Sequence, residues 1–260
     1  MARHINSLTQ VLIRHAVAFM GASFGPELSG RLNVLLWRAR ARLYSKIVDI
    51  PLGQVNYLHI PRTGGTSMKN WIDGVPNSDL VIHDHGTKSF HIKPPMKYIV
   101  AYRMPSQRLA SALARANSNI KIAEKVATMT KMQSNSIKNF GNLCVPELED
   151  QIRATSWKRR YKAYLTLNCA GELTEPLASF VSKRDLFRNP PSLAFHYEDS
   201  NSLSHFLKTE LGLQLTDRPW SNKETGERFF EPTPNLSRFY SLDLEVIQIL
   251  KISSATESGM

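Results

Sequence analysis

The sequence predicts an α/β protein built on a largely parallel sheet. Short apolar segments rich in β-branched and aromatic residues recur along the chain, and amphipathic segments with helical spacing separate them. Strands that alternate with helices are typical of parallel sheets, because each connection must cross the sheet before the next strand. The 260 residues are 42% hydrophobic, which is enough for a buried core and excludes a disordered chain.

The first 50 residues predict a basic helical arm, and residues 51–260 the main domain. The arm contains seven Lys and Arg residues against Glu27 and Asp49, and leucines recur in it at spacings of three and four. We expect this helix to pack on the domain with its basic face in water. The alternative is a basic amphipathic helix that lies on an anionic membrane surface.

No segment predicts a membrane-spanning helix or a secretory signal. The longest apolar candidate, residues 11–24, is interrupted by Arg14 and His15 and is shorter than the roughly 20 residues needed to span a bilayer. We therefore expect a cytoplasmic protein, with peripheral membrane contact through residues 1–50 as the open alternative. The two cysteines, Cys144 and Cys169, predict neither a disulfide framework nor a four-ligand zinc site.

The elements follow in order along the chain. Apolar, β-prone runs predict strands at residues 55–60, 80–82, 97–102 and 192–197. Helical spacing and capping residues predict helices from residue 66, at 106–116, at 120–164 with a break near 141–146, at 203–211 and at 237–252.

The first strand leads into a sequence with the chemistry of a phosphate site. Glycines let backbone N–H groups approach an anion, and a helix start adds unpaired N–H donors and a partial positive charge. The spacing is not that of a Walker A loop, and the alternative is an ordinary glycine turn before a capped helix. The predicted phosphate-binding residues are Arg62, Thr63, Gly64, Gly65, Thr66 and Ser67.

The strand at 97–102 ends in a second basic motif. Arg103 follows the strand directly, and Arg108 and Ser111 lie in the helix that starts after it. A guanidinium can donate two parallel hydrogen bonds to one phosphate, and ligands of open α/β sheets bind at the carboxyl ends of the strands. The alternative is a basic helix start with proline in its first turn. The two motifs together predict a ligand with two separated phosphate groups.

These two motifs resemble those of sulfotransferases that use 3′-phosphoadenosine-5′-phosphosulfate (PAPS). Residues 59–67, HIPRTGGTS, are similar to the HIPKTGGTS loop of the carbohydrate sulfotransferase branch, and residues 103–111 to its RDPxxRxxS motif. Residues 195–199 are similar to a late strand of that family, so the resemblance covers roughly residues 55–250. Two positions depart from the pattern: Arg62 stands where the family has Lys, and Met104 where it has Asp.

The resemblance implies a fold, a donor and an acceptor class. It implies a P-loop-like three-layer sandwich with a central, mostly parallel sheet between helices. PAPS would be the donor substrate and 3′-phosphoadenosine-5′-phosphate (PAP) the product, with no metal required. The acceptor would be a hydroxyl of a carbohydrate or glycolipid. Arg62 would take the place of the family's lysine beside the leaving phosphate, as a fixed cation with a different geometry.

A general base for the acceptor hydroxyl is predicted between the two motifs. Imidazole titrates near neutral pH, and the resembled branch often places a catalytic His in this interval. His85 is the first candidate because Gly86 follows it, and His83 is the second. A metal site at His83 and His85 is the other interpretation, which lacks a clear third and fourth ligand.

Two other function classes remain as alternatives. Lys and Arg exceed Asp and Glu by 33 to 22, a net charge of +11, which favours an anionic partner of some kind. A basic polyanion- or nucleotide-binding protein without sulfuryl transfer is therefore one alternative. A P-loop kinase is the other, although the sequence lacks a Walker lysine and a carboxylate suited to magnesium. No nucleic-acid-binding motif is present.

Overall fold

The computed structural model describes residues 2–46, 49–64, 68–69, 79–118, 145–169, 175–213 and 233–257. The chain divides into two compact units, each assembled from separate stretches of sequence. The helical unit comprises Met1–Arg40, Pro105–Pro176 and Glu227–Leu244. The sheet unit comprises Ala41–Met104, Leu177–Gly226 and Glu245–Met260.

The strands are β1 (Val55–Leu58), β2 (Leu80–Ile82), β3 (Lys97–Tyr102) and β4 (Leu193–His196). The helices are α1 (Ala2–Phe24), α2 (Pro26–Ser45), α3 (Pro105–Ser118), α4 (Val145–Arg153), α5 (Trp157–Cys169), α6 (Leu177–Phe180), α7 (Lys183–Arg188), α8 (Ser200–Leu211), α9 (Pro234–Phe239) and α10 (Ser241–Glu257). A 3₁₀ turn covers Ser89–His91. None of the described helices combines the length and apolar composition needed to cross a bilayer.

The four strands form one parallel sheet in the order β2-β1-β3-β4. In the register, Leu58 lies opposite Val100, and Tyr102 lies opposite His196. Both central strands are buried almost throughout, which explains why their sequences read as continuous apolar runs rather than as alternating ones. The α/β class and the parallel sheet predicted from the sequence are thereby confirmed.

The core of the sheet unit joins the strands to helix α8. Side chains of β1, β3 and β4 pack with Leu203, Leu207 and Leu213. Helix α8 is fixed at both ends: Asp199 accepts from the backbone N–H of Ser202 at 3.0 Å, and Gly212 closes the helix at a φ of 65°. The helix predicted at 203–211 is therefore confirmed, with a start three residues earlier, at Ser200.

The helical unit is built on the packing of α1 against α5. The two helices approach closely at Gly21, where a Cβ atom would lie 2.4 Å from the ring of Tyr164. The core of this unit includes Ile13, Val17 and Trp37 from the N-terminal helices. Arg160 of α5 links this helix to the carboxyl ends of α1 and α4. Its guanidinium donates hydrogen bonds to the carbonyls of Ala22, Ala154 and Thr155.

Several predicted helices differ from those observed. The helix predicted at 237–252 is two helices, α9 and α10, with Tyr240 between them. Residues 120–144 of the long basic helical stretch, and most of the helix predicted from residue 66, lie outside the described residues. The described remainder of the stretch, α4 and α5, is interrupted at residues 154–156.

Candidate functional site

The strand order defines a switch point at the carboxyl ends of β1 and β3. The chain leaves β1 toward β2 on one side, whereas it leaves β3 toward β4 on the other side. In open parallel sheets, connections that diverge in this way leave a crevice between the two strands, and ligands bind there. The two sequence motifs begin at this crevice, because residue 59 follows β1 and Arg103 follows β3.

The loop after β1 holds two residues in the left-handed region. Gly64 has a φ of 81°, and Arg62, which is not a glycine, has a φ of 65°. This conformation costs a non-glycine residue about 1–2 kcal/mol, so the surrounding contacts must enforce it. The hydroxyl of Thr63 donates to the carbonyl of Ile60 at 2.8 Å and ties the loop together.

The hydrogen bond of Thr63 to Ile60 argues against its predicted role as a phosphate-binding hydroxyl. Its hydroxyl has one proton, which the Ile60 carbonyl accepts, and the side chain is fully buried. Thr63 therefore shapes the loop rather than presenting a hydroxyl to an anion. The rest of the predicted cradle, Gly65, Thr66 and Ser67, lies outside the described residues.

Arg103 places a buried cation beside this loop. Its side chain is 4% exposed, and its Nη1 donates to the carbonyl of Arg62 at 3.4 Å. Its guanidinium carbon also lies 4.3 Å from the ring centroid of Tyr197, in a cation–π contact. The Tyr197 hydroxyl donates to Glu198 at 2.7 Å, which holds the ring in place. Within the sheet unit, the structure thus brings Arg103, the first residue of the second motif, against the loop after β1.

His85 lies against the same loop in a defined tautomer. Its Nδ1 is 2.9 Å from the carbonyl oxygen of His59, and the two imidazole rings are 4.3 Å apart between centroids. A carbonyl oxygen only accepts hydrogen bonds, so Nδ1 carries the proton. The neutral ring then has its lone pair on Nε2, which is the arrangement that a general base needs.

Lys88 fixes the backbone at His85. Its Nζ donates to the His85 carbonyl at 3.0 Å and lies 3.2 Å from the ring centroid of Phe180. The side chain is buried, so a second cation lies inside this part of the sheet unit. The burial of Lys88 could not be predicted from the sequence, because a single lysine two residues after a turn carries no signal of burial.

The other two imidazoles near the loop remain neutral. Burial lowers the pKa of His59 to about 4, and electrostatic interactions with His85 and Lys69 act in the same direction. Burial also lowers the pKa of His83 to about 4, although Asp84 opposes the shift. His83 is buried and its Nε2 lies 2.9 Å from Oδ1 of Asn56, so it is part of the core. Of the two predicted bases, His85 has the better placement.

A further imidazole lies at the end of β4. The Nδ1 of His196 is 3.7 Å from the Glu198 carboxylate, and its ring contacts that of Tyr102 edge-on. Burial lowers its pKa, an effect that Glu198 opposes. The sequence offered a signal for this residue, since His196 ends a strand of a parallel sheet, where functional side chains collect.

Arg108 and Ser111 belong to the helical unit and are buried there. Arg108 donates to the carbonyl of Glu175 at 2.7 Å and forms an ion pair with Asp243 at 3.5 Å. Its guanidinium therefore stabilises the helical unit. Within the residues that the structure describes, no cluster of three His, Cys, Asp or Glu side chains could hold a metal ion.

Comparisons of the chain with protein-family models, with curated proteins and with solved structures found no match.

Proposed function

We propose that the protein is a sulfotransferase that moves the sulfuryl group of PAPS to a hydroxyl of a carbohydrate or glycolipid. The observation that carries the proposal is the meeting of three groups at the switch point. The strained loop at Arg62 follows β1 and the buried guanidinium of Arg103 follows β3. The imidazole of His85, which follows β2, contacts the carbonyl of His59 just after β1.

The chemistry of these groups fits a donor with two phosphate ends. The loop from Arg62 offers a cation and backbone N–H groups for the 5′-phosphosulfate, in the place where the resembled family has its lysine. Arg103 offers a fork of N–H donors, oriented by Tyr197, for the 3′-phosphate. Arg108 and Ser111 complete the second motif in the resembled family, although the ion pair with Asp243 gives Arg108 a structural part here.

In the proposed reaction the acceptor hydroxyl attacks sulfur in line with the bond to the leaving phosphate. An oxygen–sulfur bond forms to the acceptor, and the bond between sulfur and the bridging oxygen breaks. The bridging oxygen keeps the electron pair and leaves on PAP, where Arg62 and the loop stabilise its charge. His85 takes the hydroxyl proton on Nε2, because Nδ1 is held by the His59 carbonyl.

A calorimetric comparison of PAP with adenosine 5′-phosphate tests the donor assignment. The two ligands differ by the 3′-phosphate, so we expect PAP to bind more tightly and Arg103→Ala to remove that advantage. The loss should be about tenfold or more in the Kd of PAP, since a hydrogen bond to a charged group contributes about 1.5–3 kcal/mol. Arg31→Ala, which changes an exposed arginine of the helical unit, is the matched control.

The same preparation separates binding from chemistry. His85→Ala should keep the affinity for PAP, while turnover with PAPS and a set of glycan and glycolipid acceptors falls about 10²-fold or more. Equal affinities of the wild-type chain for PAP and adenosine 5′-phosphate would refute the two-phosphate site. Tight PAP binding without turnover on any acceptor would instead favour a nucleotide-binding protein of the same fold.

A further inference from the structure

The outward face of helix α1 is apolar. Between residues 9 and 24 its exposed positions are Leu12, Ala16, Phe19, Ser23 and Phe24, which recur at spacings of one to four residues. Leu12 is 70% exposed and Phe19 is 52% exposed. The one charged residue in this stretch, Arg14, is 1% exposed and faces the core. A surface helix normally has the opposite pattern, with its charges in water.

Helix α5 extends this face with aromatic rings. Trp157 is exposed, donates from its indole N–H to the Ser23 hydroxyl at 3.2 Å, and contacts Phe19 edge-on at 6.1 Å between centroids. Tyr161 stacks on the Trp157 ring at 5.0 Å. We call Leu12, Phe19, Phe24 and Trp157 the apolar face; all four belong to the helical unit.

Positive charge borders the apolar face. Lys158, Arg159 and Lys162 are exposed on α5, the same helix that carries Trp157. Neither α1 nor α5 contains an aspartate or a glutamate. Long basic side chains can keep their ammonium or guanidinium groups among anions while their stems cover apolar surface.

We propose that the apolar face docks on the surface of an anionic lipid bilayer. Exposed Phe, Leu and Trp beside lysines and arginines are the composition of helices that lie in the membrane interface, with apolar side chains among acyl chains and cations among phosphates. Neither helix is apolar enough over its length to cross the bilayer, so the contact is peripheral. A symmetric dimer through this face would bring Lys158 and Lys162 of two copies together, which like charges disfavour.

Sedimentation of the full chain with vesicles tests the proposal. We expect binding to vesicles of phosphatidylcholine with phosphatidylserine, weak binding to phosphatidylcholine alone, and release at high salt. Phe19→Asp and Leu12→Asp each change an exposed side chain, so the fold should survive, and each should lower the partition coefficient about tenfold or more. Phe187→Asp, at a phenylalanine of the sheet unit that is more exposed than Phe19, is the control and should bind as the wild type does.

A second pair of variants tests the charge. Replacing Lys158 and Lys162 together by glutamate should remove the preference for phosphatidylserine, whereas replacing the exposed Lys183 and Arg184 should leave it. The proposal is overturned if the wild type ignores phosphatidylserine or if both aspartate variants bind normally. It is also overturned if the wild type self-associates in sedimentation velocity and Phe19→Asp abolishes that association without affecting vesicle binding. Circular dichroism and Tm confirm that each variant is folded.

Discussion

Asn56 organises the polar interior of the sheet unit from an otherwise apolar strand. Its Oδ1 accepts from the N–H of Gly53 at 3.0 Å, and its Nδ2 donates to the carbonyls of Gly53 and Lys97. These contacts fix the orientation of the amide, so the Nε2 of His83 must donate to Oδ1. A fully buried amide with all its partners costs little, whereas a missing partner would leave a polar group unsatisfied.

The low pKa of His83 predicts how stability depends on pH. Burial lowers it from 6.5 to about 4, so the unfolded chain binds a proton between these values that the native chain excludes. The contribution of His83 to the free energy of unfolding is fully present above pH 6.5 and is lost as the pH falls toward 4. At pH 5 about 2 kcal/mol of it has been lost. His83→Gln, which can keep the donor to Asn56, should reduce the difference in unfolding free energy between pH 7 and pH 5 by that amount. An unchanged difference in urea denaturation would contradict the assignment.

The contacts that distinguish His85 from His83 could not be predicted from the sequence. Both residues flank Asp84 and share its neighbourhood in the chain. What separates them is a carbonyl 26 residues away for His85 and an amide 27 residues away for His83. The position of Arg103 after a strand was predictable because the strand itself was evident, whereas its contact with Tyr197 depended on the strand order.

Among the elements, the strands were the most predictable. Burial on both faces of a parallel sheet requires runs of apolar residues, and β3 was predicted with its observed bounds. The start of α9 was missed, although Thr233 and Pro234 form a typical cap and first helical position. Glu149 then reinforces that start by accepting from the backbone N–H of Asn235 at 3.1 Å, a contact between distant parts of the sequence.

At Gly30 in α2, we expect close packing to outweigh helix propensity in deciding the effect of a substitution. Alanine is favoured over glycine inside a helix by about 1 kcal/mol, so Gly30→Ala in α2 would be stabilising by propensity alone. A Cβ atom there would lie 1.9 Å from the carbonyl oxygen of Phe239, however, and the backbone must move. We therefore expect a loss of about 1–3 kcal/mol in unfolding free energy.

The control lies on the exposed side of the same helix. Ala39→Gly removes no packing contact of that kind and should cost only the propensity difference of about 1 kcal/mol. Thermal and urea denaturation of both variants measure the two effects. A Gly30→Ala variant more stable than the wild type would show that α2 and Phe239 can separate without cost.

In the whole molecule, the helices of the N-terminal arm share a hydrophobic core with later parts of the chain. Ile13, Val17, Ala18 and Trp37 lie in one cluster with residues of α4, α5 and α9. We expect a chain that begins at residue 51 to lose the cooperative unfolding of the helical unit, because several buried side chains disappear at about 2–5 kcal/mol each. Coexpression with residues 1–50 as a separate peptide should restore part of it. A fragment 51–260 with cooperative unfolding and a native near-UV spectrum would contradict the expectation.

The division of the chain into interleaved stretches also sets the order in which it can fold during synthesis. Helix α1 emerges from the ribosome before α5, against which it packs and which follows roughly 130 residues later, and the last stretch of the helical unit ends at Leu244. Until α5 has been synthesised, α1 therefore lacks the helix that covers its buried face. The nascent protein then exposes an apolar helix of the kind that chaperones and membranes both bind, before β4, the last strand of its sheet, has been synthesised.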